Sequence, residues 1–232
     1  MKKIVAIAAF FLLMQAFISA QTTDLRLGFQ VSPVLSYMGS TDNKINSNGT
    51  NLGLKLGMRA EMFFRENYAF ITGIGFAFNS GGTLHHDIGG QIWTHSELPN
   101  GVDPTFLPGV DLKYNLQYVE IPLGLKFRTN DFGYLRYWAE IPVITLGFKS
   151  QASGAIQQTG ITEDKIDIKK EVTSLSLSWG IAGGMEYNIS SGTSLVGGIG
   201  FEKVFTDVTK DVDDDKSKGF INNLVLRLGV LF

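Results

Sequence analysis

The chain has 232 residues, with 20 Lys and Arg against 22 Asp and Glu, and no cysteine. A near-neutral, slightly acidic balance leaves no basic patch for nucleic acid, and the lack of cysteine excludes disulfides and lipid attachment. Gly is abundant at 27 and Phe at 17, against 6 Pro. No run beyond the N-terminus is long and apolar enough for a transmembrane helix. A membrane-embedded chain of this kind must therefore be a closed barrel, because only helices and closed barrels satisfy every backbone group in lipid.

Residues 1–20 read as a cleaved signal peptide. Lys2 and Lys3 precede an apolar stretch from Ile4 to Ile18, and Ser19-Ala20 supplies the small residues before Gln21. Residues 21–232 form one domain. Without the two signal lysines it carries 18 basic and 22 acidic side chains, a net of about −4.

Eight segments then alternate with a period of two, the signature of strands with two unlike faces. The first, Leu25 to Tyr37, sets Leu25, Leu27, Phe29, Val31, Leu35 and Tyr37 opposite Arg26, Gly28, Gln30, Ser32 and Ser36. The next two are Leu52 to Phe64 and Tyr68 to Phe78. The fourth, Leu112 to Arg128, slips in phase: Tyr114, Leu116 and Tyr118 are even, whereas Ile121, Leu123, Leu125 and Phe127 are odd. Such a slip predicts a β-bulge near Tyr118-Val119. The fifth, Tyr134 to Phe148, is the least regular. Leu175 to Tyr187 is clean, followed by Leu195 to Phe205 and Phe220 to Phe232.

The connections alternate between three short turns, at 65–67, 129–133 and 188–192, and long polar stretches at about 39–51, 79–111, 149–171 and 206–219. Short turns on one side and long loops on the other are the asymmetry of bacterial outer-membrane barrels. The pattern predicts an all-β fold: an eight-stranded antiparallel up-and-down transmembrane β-barrel, with both ends in the periplasm. Bulky Leu, Ile, Phe and Met fill one face and Gly, Ser and Ala the other. A narrow interior admits the small residues, so the bulky face should meet lipid. Tyr37, Phe64, Tyr68, Phe127, Tyr187 and Phe232 lie near strand ends, where aromatic girdles sit.

The lumen face is expected to carry Lys55, Arg59, Glu61, Glu120, Lys126, Arg128, Arg136, Glu140, Glu186, Glu202 and Arg227. A selective channel would present a ring of one sign. Balanced charge in a narrow space instead reads as ion pairs that fill the barrel, since an unpaired charge there is costly. A narrow path for ions or small solutes is the alternative. A third reading turns the apolar face inward, as in a soluble periplasmic lipocalin-like binder.

Other clusters point to little chemistry. His85, His86, Asp87 and His95 share the longest loop, without a third fixed ligand for a metal. Asp211, Asp213, Asp215 and Ser217 have the odd spacing of a calcium loop, but Lys216 stands where glycine is needed and Asn222 where the bidentate glutamate is needed. Gly73-Ile74-Gly75 and Gly197-Gly198-Ile199-Gly200 lie inside strands and are not cofactor loops. His85, His86 and His95 are the only histidines and fall on no predicted strand. No catalytic, cofactor or metal site is therefore expected, and the chain is not read as an enzyme.

The segment from Leu116 to Phe127 resembles the hallmark strand of the PorT-like outer-membrane β-barrel family, common in Bacteroidetes. Tyr118, Glu120, Ile121, Pro122, Leu123, Leu125 and Lys126 match its Tyr-Leu-Glu-Ile-Pro-Leu-Leu-Leu-Lys-Tyr pattern, while Val119, Gly124 and Phe127 depart mildly. The resemblance implies an outer-membrane barrel and leaves its activity open; the family's namesake is implicated in secretion of proteins with a C-terminal sorting domain. Phe232 resembles the terminal signal read by the barrel-assembly machinery. The expected partners are outer-membrane lipid, that machinery and a protein at the outer loops.

Overall fold

The computed structural model describes residues 24–96, 98, 105–210 and 217–232, so the segment expected as a signal peptide lies outside the described residues. Among them no helix is long and apolar enough to cross a membrane. The strands are β1 (Asp24–Ser40), β2 (Ile45–Arg65), β3 (Tyr68–His86), β4 (Gly90–Gln91), β5 (Thr105–Phe106), β6 (Val110–Arg128), β7 (Leu135–Gln158), β8 (Ile161–Asp167), β9 (Leu175–Asn188), β10 (Ser194–Val204) and β11 (Gly219–Leu231). Eight of them pair antiparallel in the ring β1-β2-β3-β6-β7-β9-β10-β11, and β11 closes on β1. Phe232 extends the seam by donating to Leu27 O (2.7 Å) and accepting from Leu27 N (3.2 Å). Closure leaves no edge in the membrane, so every ring strand finds its hydrogen bonds within the wall.

The eight expected strands are all present, with the bulky face outward. Phe29 is 59% exposed, and Leu56, Met58, Phe70, Ile74, Trp179 and Leu226 share that outward face. On β11 the apolar row from Leu224 to Phe232 covers 9 positions, enough to cross a bilayer as a tilted strand. At the periplasmic end Tyr68 stacks edge-on against Phe127 (5.5 Å), beside Phe64, and Tyr134 meets Tyr187 (6.0 Å). Rings at this depth place an apolar body in lipid and a polar tip in the headgroups.

Several connections expected as loops are strand. The 39–51 stretch is the end of β1, a tight turn and the start of β2. β3 runs on to His86, so His85 and His86 lie on a strand after all, and β7 runs on to Gln158 with β8 folded back on it. These extensions stand clear of the apolar belt, with polar residues on their outer face. The rule that apolar means outward therefore reverses there. Inside, Met38, Leu84, Val110, Leu112, Leu116, Ile156, Ile168 and Val172 form an apolar core.

That reversal also corrects the bulge expected in β6. Tyr114, Leu116, Tyr118, Glu120 and Lys126 keep one parity and all face inward, so the strand does not slip. The apolar residues change sides instead, from the head core to the lipid belt. The extra residues sit on the neighbours, between Ala77 and Ser80 of β3 and at Ser150 of β7, both opposite the Leu116–Tyr118 stretch. Asn79 takes the left-handed conformation (φ 58°) inside the first of these. The irregular fifth segment has a second such place: Glu140 and Val143 both face inward, with Ile141 and Pro142 looped out between them.

The head is capped by Trp93. It is 2% exposed, donates from Nε1 to Tyr114 Oη (3.0 Å) and meets that ring edge-on. Gly154 makes this possible: a Cβ there would lie 2.4 Å from Trp93 Cη2. Burial pushes the Tyr114 phenol above its usual range, which keeps it protonated. Beside it the buried Glu171 accepts from His95 N (2.6 Å).

Candidate functional site: the barrel interior

Below the apolar core the lumen is lined by charge. Strand parity fixes which side chains enter it, and most of their cross-strand neighbours on the inner face are small. The widest gap is filled by Trp138. Its indole lies over Gly184 of β9 and Gly198 of β10, where an added Cβ would come within 2.8 and 2.5 Å of Cζ2. The ring has Lys126 Nζ at 5.6 Å and the Arg227 guanidinium at 5.9 Å, within cation–π range.

The ion pairs form one unbranched series of alternating sign. Arg26 contacts Glu186 (3.2 Å); Glu186 also accepts from Lys126; and Lys126 donates to both oxygens of Glu61 (2.6 and 2.8 Å). Glu61 lies 3.6 Å from Arg59, which donates to Glu140; Glu140 also accepts from Arg227. Arg227 lies 3.9 Å from Glu202, Glu202 accepts from Lys55 (2.5 Å), and Lys55 reaches Glu120 (3.0 Å). Five cations, Arg26, Lys55, Arg59, Lys126 and Arg227, thus balance five carboxylates, Glu61, Glu120, Glu140, Glu186 and Glu202. Lys126 is 1% exposed and Glu186 0%. Such groups are tolerable only when each is matched, since an isolated buried charge costs several kcal/mol.

Most of these links cross the barrel. Arg59 of β2 reaches Glu140 of β7, Glu140 reaches Arg227 of β11, and Glu202 of β10 reaches Lys55 of β2; none of these strand pairs is hydrogen-bonded in the wall. The cross-links leave little free volume. One cavity of about 20 Å³ borders Trp138 and Arg227, and one of about 70 Å³ borders Lys55 and Glu120. At roughly 10–15 Å³ per water, the first holds about one or two waters and the second about five to seven.

Nine of the eleven side chains expected in the lumen belong to this series. Arg128 and Arg136 do not: they sit at the periplasmic mouth, where Arg136 pairs with Asp131 (Nη2 to Oδ2, 2.8 Å) and Arg128 donates from Nε to Glu66 O (2.9 Å). Both lie at the strand ends, so their long side chains meet the turn residues Glu66 and Asp131 rather than the network. Arg26 is the member absent from the expected set, although its parity with Gly28 and Gln30 already pointed inward. Elsewhere, His85 contacts Asp111 (Nδ1 to Oδ1, 2.7 Å), whereas His95 contacts Glu171, so the two take different partners. Among the described residues no three metal-binding side chains converge. Asp211, Asp213 and Asp215 lie outside the described residues, and Asn222 is a strand residue paired with Tyr37 and Lys203.

The sequence matches the family model described as "Outer membrane protein beta-barrel domain" over residues 19–210. No curated protein matches it significantly. Similar solved structures include neisserial surface protein A, at 11% identity over 88% of this chain and 95% of the other, TM-score 0.44. A major outer membrane protein of Thermus thermophilus shares 14% identity over 90% and 98%, TM-score 0.44. The attachment invasion locus protein of Yersinia pestis shares 14% over 89% and 98%, TM-score 0.39.

Proposed function

Because this chain belongs to the outer membrane protein beta-barrel domain family and sits in the outer membrane, we propose that it is a non-conducting barrel. In this reading its working surface is the extracellular head, in a structural or interaction role. The observation that carries the reading is the double filling of the lumen. A neutral series of ten charges occupies the lower part, and an apolar core occupies the upper part, beside a cavity of about 150 Å³ bordered by Trp93, Tyr114 and Glu171. A water path would have to break cross-barrel ion pairs and then cross apolar packing. The porin-like alternative has in its favour the lumen cavities of about 20 and 70 Å³ and the head cavity of about 150 Å³, which the ion pairs and apolar packing separate. The soluble lipocalin-like alternative falls with the outward-facing apolar belt and the family assignment. The chain is read as non-enzymatic.

The PorT-like resemblance of Tyr118–Lys126 favours a secretion accessory as the finer form of the role, with a protein partner at the outer strands. Glu120 and Lys126 of that segment are both links in the series. The test is single-channel recording on the full mature barrel in planar bilayers. A flat trace is expected; stepwise openings in most insertions would sink the proposal.

Assembly offers a separate check. Phe232 closes the seam on Leu27 through two backbone bonds, and in this reading it belongs to the segment that the barrel-assembly machinery reads. Deletion of Phe232 should lower the amount of heat-modifiable barrel in the outer-membrane fraction several-fold. Unchanged levels on unboiled gels would argue that the machinery reads another feature.

A further inference from the structure

The periplasmic mouth holds a charge that the lumen series does not use. A recess of about 460 Å³ opens there on the barrel axis, lined by Arg26, Arg128, Arg136, Asn188, Ser191 and Ser194 among others. Two of its three arginines are engaged with carboxylates: Arg136 with Asp131, and Arg26 with Glu186, with a further bond from Arg26 to Ser194 Oγ (2.7 Å). Arg136 pulls the Asp131 carboxyl below the usual aspartate range, so it stays ionised and committed to that arginine. Glu186 already accepts from Lys126 as well.

Arg128 differs. Among the described residues it makes no ion pair. Its Nε donates to Glu66 O (2.9 Å) and its guanidinium lies over the Phe63 ring at 3.8 Å. These two contacts fix the plane of the group and leave both Nη nitrogens for another acceptor. Asp24 lines the same recess without pairing with it. Arg136 and Arg26 repel this guanidinium while the Glu186 and Glu61 carboxylates attract it without pairing with it, and a fixed fork with both Nη nitrogens open suits bidentate capture of an oxyanion.

We propose that the periplasmic mouth binds a compact oxyanion, a carboxylate or phosphate borne on a periplasmic molecule, with Arg128 as its bidentate anchor. Ser191 of the wall stands beside it as a neutral hydrogen-bonding group, whereas Ser194 already donates to Asn188 Oδ1 (2.8 Å) and Asn188 to Asp131 Oδ1 (3.3 Å). The recess is walled by the short turns at 129–133 and 188–192, so the ligand arrives from the periplasm. The site does not depend on whether the lumen conducts.

The test uses the full mature barrel in detergent micelles, with arginine side-chain Nε–Hε resonances followed by NMR at constant ionic strength. Inorganic phosphate, acetate and chloride are titrated separately. One resonance, assigned to Arg128 by its loss in Arg128→Gln, should shift saturably with phosphate or acetate, at least about tenfold more tightly than with chloride. The tighter of the two oxyanions identifies the source, phosphate ester or carboxylate. Arg128→Lys, which keeps the charge but not the fork, should weaken binding several-fold while the heat-dependent gel shift is retained. Equal response to chloride, or no saturation in the wild-type chain, overturns the proposal without any variant, and so does undiminished affinity in folded Arg128→Gln.

Discussion

Lys126→Met should lower barrel stability by about 3–5 kcal/mol, the cost of leaving buried charge uncompensated, read as a shift in denaturant midpoint for the barrel in lipid vesicles. Lys126 is the ammonium shared by Glu61 and Glu186, and all three are essentially inaccessible. Methionine keeps the stem and removes the charge, so packing is nearly unchanged and the loss is electrostatic. Glu61 keeps a weak contact with Arg59 at 3.6 Å, and Glu186 keeps Arg26, so both lose their main counter-charge. Adding Glu61→Gln to Lys126→Met should recover part of the loss, because a neutral amide no longer needs a counter-charge. If the double variant is no more stable than Lys126→Met, the effect is packing and the electrostatic account fails. Glu120, at the end of the series and paired with Lys55 alone, should cost less when replaced, since Lys55 keeps Glu202.

The head should prove separable from the barrel. Trp93→Ala removes a side chain that is 2% exposed, its bond to Tyr114 and its contact with Gly154. Truncating a buried tryptophan costs about 3–5 kcal/mol. That loss falls on the extracellular core, which shares no ion pair with the membrane series. Added protease should then cleave the head of Trp93→Ala within its β3–β6 connection far faster than in the wild type. The near-ultraviolet dichroism of the Trp–Tyr pair should vanish, while the heat-dependent gel shift persists. Loss of the gel shift as well would mean that the head core supports the barrel.

Strand number, order and facing were legible because each membrane strand obeys one rule: bulky residues meet lipid and small ones fit a narrow bore. Leu175 to Tyr187 follows it except at Gly183, small on the outer face, and Glu186, charged on the inner one. The rule fails where the surroundings change from lipid to water. In β6 the same parity carries Leu112 and Leu116 in the apolar head and Glu120 and Lys126 in the charged lumen, so a bulge was expected where the environment had changed. Trp93, Gly154 and Glu171 escaped notice because long-range packing assembles them. The lumen charges were readable from parity, but their partners were not, since Arg59–Glu140 and Lys55–Glu202 span the bore. Arg128 and Arg136 shared that parity, yet only height along the barrel separates mouth from network.

The cross-bore pairing bears on how the barrel comes into being. A sheet that has inserted but not yet joined β11 to β1 has no bore, and Arg59, Glu140, Arg227, Glu202 and Lys55 have no opposite wall to meet. Their neutralisation arrives with closure itself, so the last step of assembly gains far more than the seam's hydrogen bonds. Partly built intermediates stay high in free energy and revert, and the finished barrel must break several cross-links before any strand can peel away. Opening is therefore slow, which suits a protein that no ATP-driven chaperone in the outer membrane can refold.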